Sequence, residues 1–169
     1  MPLQIRFATP DDASTLHRFI CELAEYEREP DAVKVTPAQL REQMAQSRPP
    51  FECLLAEEVE AEARSARGFA LFFSNYSTWR GRSGLHLEDL YVSPAHRGAG
   101  VGGALLAALA RLAEERGCAR LEWWVLDWNT TAQRFYESLG AKAMGEWTTY
   151  RLTDEALTNL AKKGPPIER

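Results

Sequence analysis

The sequence predicts an α/β protein, residues 1–169 forming a single domain in which helices flank a sheet with at least one parallel strand pair. Three observations support this fold class. The length suffices for one substantial core, and a composition of 45% hydrophobic and 26% charged residues is ordinary for a globular protein. Strand patterns and amphipathic helix patterns are interspersed along the chain. A strand, a glycine-rich turn, a helix and another strand run from His86 to Leu126, and such a crossover joins parallel strands.

Three strand patterns separated by polar segments occupy the first half of the chain. The third is apolar on both faces, which predicts a central place in the sheet. These strands are predicted at residues 3–7, 51–56 and 68–73. The charged segment 57–63 is predicted to be an exposed hairpin loop, and the segment 75–82 is predicted to be a polar loop with two large aromatic residues.

Capping signals and apolar spacing predict two helices in the same half. Thr9 and Pro10 begin the first, which has apolar residues at spacings of three and four. Those residues are Leu16, Phe19, Ile20 and Leu23. A capping box of Thr36 and Gln39 begins the second helix, which extends toward Met44.

In the second half, a helix that follows the glycines is expected to run to Arg116 and to end at Gly117. A strand is predicted at 121–126. The later elements are predicted as a helix at 130–139, an antiparallel strand pair at 141–144 and 148–152, and a helix at 154–163.

Composition argues against several classes of function. The net charge of −4 and the lack of a basic stripe argue against a nucleic-acid-binding protein. Three widely spaced cysteines form neither a disulfide framework nor a zinc motif, and the three histidines form no metal motif. The sequence has no apolar run of membrane-spanning length and no signal-peptide core. We therefore expect a cytoplasmic protein that binds no metal, no nucleic acid and no membrane.

The segment from Arg97 to Gly103 predicts a phosphate site. Glycines at a strand-to-helix junction let a ligand approach unpaired backbone amides, and the helix dipole adds partial positive charge. Gly98, Gly100 and Gly103, with Glu122 farther on, fit the dinucleotide pattern G-x-G-x-x-G. Arg97, Gly100 and Gly102 instead fit R-x-x-G-x-G, the coenzyme A signature of GNAT acetyltransferases. Five residues, 93–97, separate the strand from Gly98, and this spacing favours the second pattern.

The chain as a whole resembles a GNAT N-acetyltransferase, and within that superfamily the spermidine/spermine and thialysine acetyltransferases. The matching segments are 22–27, 76–82, 87–92, 97–103 and 125–136. The resemblance implies a mixed, mostly antiparallel central sheet with a splayed parallel pair, flanked by helices. It also implies acetyl-CoA as the acetyl donor, a small amine as acceptor, and a homodimer with composite active sites.

The resemblance also implies roles for individual residues. Glu88 would be the general base and Tyr136 the general acid that faces the sulfur. The cofactor would be held by Leu90, Tyr91, Val92, Arg97, Gly98, Ala99, Gly100, Val101, Gly102, Gly103, Asn129, Thr130, Thr131, Ala132 and Tyr136. The amine would lie among Tyr26, Glu27, Trp79, Glu88, Glu122, Trp123 and Trp124. A carboxylate suits the base because an amine attacks only when neutral, and a tyrosine phenol suits the acid.

Several of these residues also have a purely structural interpretation. Tyr136, beside Phe135, would serve equally in a core, Asn129 as a helix cap, and Glu88 with Asp89 as a solvated pair. The role of Asp89 stays open between structure and function. The acidic residues at the end of the first helix fit a solvated face or a wall that attracts a cation. Those residues are Glu22, Glu25, Glu27, Glu29 and Asp31.

The substrate is predicted to be a short primary amine of the thialysine type. Ser77 and Thr78 precede Trp79 where the polyamine branch carries an acid, which favours an amino-acid substrate. We expect Glu27, Glu88 and Glu122 to converge on the amine, and Arg80 or Arg82 to pair with the substrate carboxylate. Acetylation of a protein N-terminus or lysine side chain, and a coenzyme-A-binding regulatory protein without turnover, are the alternatives.

Overall fold

The computed structural model describes residues 3–60 and 63–167. Its strands are β1 (Leu3–Phe7), β2 (Glu52–Glu60), β3 (Ala63–Ser77), β4 (Arg82–Val92) and β5 (Leu121–Trp123). Its helices are α1 (Ala13–Tyr26), α2 (Pro37–Met44), α3 (Val101–Glu115), α4 (Thr130–Ser138) and α5 (Asp154–Ala161). The chain divides into two compact units, one ending at Trp124 and one starting at Val125. The predicted single domain stays a prediction.

The first unit contains a five-stranded sheet in the order β1-β2-β3-β4-β5. The first four strands pair antiparallel, and β4 pairs parallel with β5. Strand β3 lies in the middle, and its segment 68–72 is buried on both faces, as the sequence predicts. The mixed sheet and its parallel pair confirm the predicted fold class.

One face of the sheet is covered by α1 and α2. The apolar stripe of α1 and Leu40 of α2 pack on alternate residues of β2, β3 and β4, and Phe19 stacks on Phe69 with ring centroids 5.8 Å apart. The buried cluster consists of Ala13, Leu16, Phe19, Leu23, Leu40, Cys53, Leu55, Phe69, Leu71 and Tyr91. The second cap follows the prediction, since Gln39 N donates to Thr36 Oγ1. The first helix begins later than predicted: the capping box of Thr9 and Asp12 belongs to a 3-10 turn at Pro10–Asp12, and α1 starts at Ala13.

The opposite face is covered by α3. This helix contacts β1, β2, β3 and β4 and buries Leu105 and Leu109 completely. At its end, the guanidinium of Arg116 lies over the ring of Phe72, and Gly117 continues with a φ of 67°. The positive φ explains why the helix ends there, as predicted, since glycine adopts that conformation without steric cost.

Two predicted loops belong partly to strands. The segment 57–63 was predicted to be exposed, yet β2 continues to Glu60 and Glu57 is 4% exposed. Glu57 is buried because Arg6 and Arg64 neutralise it, with Arg6 Nη2 2.6 Å and Arg64 Nη1 3.3 Å from its oxygens. Half of the segment 75–82 is also strand, because the β3–β4 ladder extends to the pair Ser77 and Arg82, and residues 78–81 form the turn between the strands. Residues 61 and 62 of the predicted hairpin loop lie outside the described residues.

The predicted strand 121–126 is shorter than expected. It ends at Trp123 because its pairing with β4 ends at Leu87. The predicted strand pair 141–144 and 148–152 is wrong: neither segment joins a ladder with any described residue. A two-stranded hairpin on its own is marginal in water, and Tyr150 in this segment is 92% exposed.

The second unit consists of α4, α5 and irregular segments. The predicted helices are present as Thr130–Ser138 and Asp154–Ala161, and Gly140 follows α4 with a φ of 88°. No residue from Val125 to Ile167 is buried, although α4 and α5 are amphipathic. Helices of eight or nine residues gain most of their stability from packing rather than from propensity. This unit therefore brings little core of its own.

Candidate active site

Strands β4 and β5 part beside Glu88. Their pairing comprises Leu85 with Leu121, His86 with Glu122 and Leu87 with Trp123. Strand β4 then continues from Glu88 to Val92, and in the described part of the chain this stretch has a ladder only with β3. Its other edge presents backbone N–H and C=O groups that an extended ligand can pair with. This open edge is where the sequence analysis placed the cofactor arm.

A β-bulge lies at the same point of β4. Phe72 of β3 pairs with Leu87, whereas Leu71 pairs with Asp89, so Glu88 has no partner in the ladder. Because a bulge bends its strand and redirects the extra side chain, Glu88 emerges at the point where the strands separate. Its side chain is 49% exposed. The bulge thus sets the proposed base at the start of the open edge.

The glycine segment forms an open turn before α3. Gly98 and Gly100 have φ values of 78° and 83°, which a side chain rarely adopts. Gly100 is the N-cap of α3, and no side chain caps the helix. A Cβ atom at Gly98, Gly100 or Gly103 would meet no described atom within 4 Å, so a ligand can approach the backbone amides. These residues fit a phosphate or pyrophosphate group of coenzyme A.

Three carboxylates gather beside the bulge. Asp89 is mostly buried, and burial followed by the charges of Glu88 and Glu27 raises its pKa to about 7. Burial also raises the pKa of Glu27. Burial and the two neighbouring charges thus make Asp89 harder to ionise than an exposed carboxyl. The sequence analysis left Asp89 open between a structural and a functional role, and the structure places it near Glu88 and Glu27, both predicted site residues.

Glu122 belongs to a separate arrangement. Its Oε1 accepts from Asn75 Nδ2 at 2.6 Å and lies 3.2 Å from Arg120 Nε. Asn75 reaches it across Gly84, where a Cβ would lie 2.5 Å from Asn75 Oδ1. Glu27 and Glu88 thus both lie close enough to act on Asp89, whereas Glu122 has its own cation, Arg120. Convergence of all three acids on one amine stays a prediction.

His86 is a site residue that the sequence analysis missed. It is 7% exposed, and its Nε2 lies 3.6 Å from Glu88 Oε2. Its ring lies between Phe73 and Trp124, with centroid distances of 5.0 and 5.1 Å. The spacing of two residues from Glu88 on a strand was the signal available, because such residues share a face. His86 was considered only as a metal ligand, and no described group of three or more His, Cys, Asp and Glu residues is arranged to hold a metal.

Arg97 lies between the glycine segment and α1. Its Nε donates to Val92 O at 3.0 Å, and its guanidinium lies 4.8 Å from the ring centroid of Tyr26 and 5.6 Å from that of Tyr91. Burial, then a hydrogen bond to Glu22, raises the pKa of Tyr91 to about 12. The side chain of Arg97 thus points to the end of α1, while the backbone after it forms the glycine turn.

The predicted aromatic residues are distributed unevenly. Trp123 is half-buried in β5, opposite Leu87. Trp124 is 62% exposed, and one edge of its ring contacts His86. Trp79 is 89% exposed in the β3–β4 turn, with Arg80 beside it. Six residues of β4 separate that turn from Glu88, or about 20 Å along the strand. Within one chain the structure therefore does not bring Trp79 to Glu88.

The remaining predicted site residues belong to the second unit. Asn129 is the N-cap of α4 and accepts from Ala132 N at 3.2 Å, which shows its capping role. Thr130 and Thr131 form the first turn of the helix. Tyr136 is half-buried, with its ring centroid 5.4 Å from that of Phe135. The roles of these residues toward a cofactor stay predictions.

Comparison with known proteins identifies the family. Residues 16–141 match the acetyltransferase (GNAT) family. The chain belongs to this family. It is 38% identical over 168 residues to the thialysine N-epsilon-acetyltransferase of Bos taurus, covering 95% of this chain and 98% of that protein. It is 34% identical over 164 residues to the spermidine/spermine N(1)-acetyltransferase-like protein 1 of Homo sapiens, covering 94% of this chain and 24% of that longer protein.

A solved structure agrees with the fold. An integron cassette protein from the mobile metagenome of V. cholerae superimposes with a TM-score of 0.77 at 27% identity, covering 96% of this chain and 99% of that one. The sheet order with its terminal parallel pair and the family match confirm the predicted GNAT fold and the class of enzyme, an N-acetyltransferase. None of the described helices is long and apolar enough to cross a membrane.

Proposed function

We propose that this GNAT acetyltransferase transfers the acetyl group of acetyl-CoA to the side-chain amine of a small cationic amino acid of the thialysine type. The observation that carries the proposal is the group of Glu27, Glu88 and Asp89 beside the open edge of β4. Acidic side chains there attract an ammonium group. The 38% identity to a thialysine acetyltransferase over nearly the whole chain supports the same substrate class.

Each part of the site has a physical task in this proposal. Acetyl-CoA supplies an activated thioester, which an amine attacks without a covalent enzyme intermediate. The amides of residues 98–103 would hold its pyrophosphate, and the open edge from Glu88 to Val92 would pair with its extended arm. A donor on that edge would also polarise the carbonyl that is attacked.

Proton transfer is assigned to two residues. A lysine-like amine has a pKa of about 10.4 in water, so it must lose a proton before it attacks. Glu88 would accept that proton, directly or through a water molecule, because it is half-exposed at the start of the open edge. Tyr136 would donate a proton to the leaving thiolate, and Asn129 with residues 130–132 would line the cofactor.

Assembly as a homodimer in the cytoplasm belongs to the same proposal. The second unit exposes large apolar side chains that a partner surface would cover, among them Met144 at 60%, Trp147 at 67% and Tyr150 at 92%. Trp79 lies far along β4 from Glu88 in its own chain, which suits a site completed by a second copy. Sedimentation at working concentration tests this assembly, and a clean 19 kDa species would refute it.

A polyamine is the second candidate substrate. The group formed by Glu27, Glu88 and Asp89 contains no cation of its own, and the likeness to a spermidine/spermine acetyltransferase-like protein points the same way. Turnover of acetyl-CoA with thialysine, lysine, short diamines, spermidine and a lysine peptide separates the candidates. We expect the highest kcat/KM with thialysine. A higher value with spermidine would favour the polyamine, and turnover with peptides alone would favour a protein acetyltransferase.

A further inference from the structure

A cavity of about 650 Å³, open to solvent, lies between the end of α1 and the turn before the glycine segment. Its wall includes Glu22, Glu25, Tyr26, Tyr91, His96 and Arg97. The resemblance assigns Tyr26 to the amine and Tyr91 and Arg97 to the cofactor, but the proposed chemistry uses backbone groups of β4 and of residues 98–103. It gives the side chains that line this cavity no task.

The charges of the cavity suit a ligand that carries both signs. A pyrophosphate would face the carboxylates of Glu22 and Glu25, and a polyamine would face the guanidinium of Arg97. Like charges at close range disfavour both ligands. Glu22 already pairs with Arg18 Nη1 at 3.0 Å and bonds to Tyr91, whereas Glu25 is exposed. A zwitterion can therefore place its cation at Glu25 and its anion at Arg97.

The guanidinium of Arg97 is held in a fixed place. Its Nε is bonded to Val92 O, and the rings of Tyr26 and Tyr91 flank it. Arginine presents five N–H groups in a plane. Nε bonds to Val92 O and the guanidinium also bonds to the Tyr91 hydroxyl, so the remaining N–H groups of the terminal nitrogens can bind a carboxylate. An arginine positioned by a hydrogen bond and two rings loses little side-chain entropy when it binds an anion.

The cavity lies within reach of the proposed base. Asp89 and Tyr91 share the face of β4 that packs toward α1, since their partners Leu71 and Phe69 belong to one buried cluster. Three residues of strand, or about 10 Å, separate Tyr91 from Glu88. An extended lysine-type side chain spans about 6 Å. At its nearer end the cavity is lined by Tyr26, which directly precedes Glu27, and the charge of Glu27 acts on Asp89 next to Glu88. One ligand can therefore occupy the cavity and place its amine beside Glu88.

We propose that this cavity binds the amino-acid head group of the substrate, with Arg97 on its α-carboxylate and Glu25 on its α-ammonium. This inference rests on the proposed acetyl transfer to an amino-acid side chain and names the subsite that selects it. It replaces Arg80 and Arg82 as carboxylate partners within one chain, because both lie in or beside the distant β3–β4 turn and Arg82 Nε already donates to Gly117 O at 2.9 Å.

The test uses three ligands that differ only in the head group. They are thialysine, its decarboxylated diamine and its desamino acid. Dissociation constants from calorimetry, and kcat/KM for acetyl transfer, are measured for the wild type, Arg97→Gln and Glu25→Gln. Arg80→Gln and Arg82→Gln serve as matched arginine variants. Cofactor KM and melting temperature are recorded for every protein, so that damage to the glycine segment or to folding is recognised.

We expect Arg97→Gln to weaken thialysine and the desamino acid by about tenfold or more, and the diamine by less than about threefold, since a charge-assisted hydrogen bond is lost only with a carboxylate. Glu25→Gln should weaken thialysine and the diamine but not the desamino acid. Equal losses for all ligands with Arg97→Gln, or a carboxylate-selective loss with Arg80→Gln or Arg82→Gln instead, would overturn the subsite.

The two proposals fail separately. Arg97-dependent binding of thialysine without turnover of any amine would support the subsite and refute the proposed reaction. Turnover of thialysine that does not respond to Arg97 or Glu25 would support the reaction and refute the subsite. Failure of the wild-type protein to bind thialysine at millimolar concentration would also refute the subsite.

Discussion

The two halves of β4 differ in what surrounds them. From Gly84 to Leu87 all four residues are buried and pair with β3, and Leu85 to Leu87 also pair with β5 on the other side. From Glu88 to Val92 the strand is paired on one side only, and it carries a half-exposed carboxylate and a largely buried one. The closed half is built for stability, and the proposed function assigns the chemistry to the open half. One strand can contain two such different halves because the bulge at Glu88 lies between them.

The largest effect should come from the first residue of the open half. Glu88→Gln should lower kcat/KM by about 10²–10⁴-fold, the usual contribution of a general base, because the amide cannot accept the amine proton. The melting temperature should change little, since the side chain is half-exposed. Glu60→Gln, an exposed strand carboxylate remote from the open edge, is the control. Unchanged steady-state kinetics with rate-limiting chemistry would remove Glu88 as the base.

The closed half should give the largest loss of stability. Leu85 is 0% exposed, and Leu85→Ala should lower the free energy of unfolding by about 2–5 kcal/mol, as core leucine truncations do. Leu90→Ala, in the half-buried open half, should cost less. Urea denaturation of both variants gives the comparison. Equal losses at the two positions would show that the open half is packed as tightly as the closed half.

The pH dependence of stability should carry the signature of Asp89. Its pKa is about 7 in the folded chain and about 3.9 when unfolded, so the folded state binds more protons between these values and stability falls as pH rises. Asp89→Asn removes that dependence and should be more stable than wild type at pH 8, by on the order of 1 kcal/mol. At pH 4 the difference should vanish.

Asp12→Asn provides the opposite sign in the same experiment. Its hydrogen bonds to Arg6, the nearest at 2.7 Å, lower the pKa of Asp12. The stability that this pair contributes is therefore present at neutral pH and lost as pH falls through the folded pKa. The variant should be less stable than wild type at pH 7 and approach it in acid. If stability changed with pH in the same way for Asp89→Asn and wild type, the pKa of Asp89 in the folded chain would not be raised.

The smallest effect should come from His86, at the boundary between the halves. His86→Phe keeps an aromatic ring between Phe73 and Trp124 but removes the nitrogen 3.6 Å from Glu88. The imidazole nitrogen lies close enough to help hold the Glu88 carboxylate in position, so its loss should lower kcat/KM. We expect less than a tenfold loss in kcat because Glu88 is also solvated. Unchanged kcat and kcat/KM would leave His86 a packing residue.

Sequence reasoning succeeded where local chemistry determines structure. The capping box at Thr36, the end of α3 at Gly117 and the apolar centre of β3 each follow from neighbouring residues. The glycine turn before α3 was also predictable, because several glycines close together before a helix indicate a backbone that other residues rarely adopt. These features, with the order of the motifs, were enough to predict the fold, while the place of the site stays a prediction.

It failed where distant residues decide. Glu57 looks exposed until Arg6, far away in sequence, is brought against it. The strand pair predicted near Met144 has suitable residues but no ladder partner in the described chain. Asp89 acquires its raised pKa from burial and from Glu27 on another element. The bulge at Glu88 is a property of the pairing between two strands, and no pattern within β4 alone reveals it.

That bulge also affects how the chain tolerates a change in length. Removing one residue from a strand ordinarily moves every later side chain to the opposite face of the sheet, because successive side chains alternate between the faces. Without Glu88, however, Leu87 and Asp89 would be consecutive opposite Phe72 and Leu71, which are themselves consecutive. The ladder would close as a regular one, and Asp89, Leu90 and Tyr91 would keep their faces. Glu88 is thus a residue that the sheet can lose without losing its frame, whereas the proposed chemistry cannot.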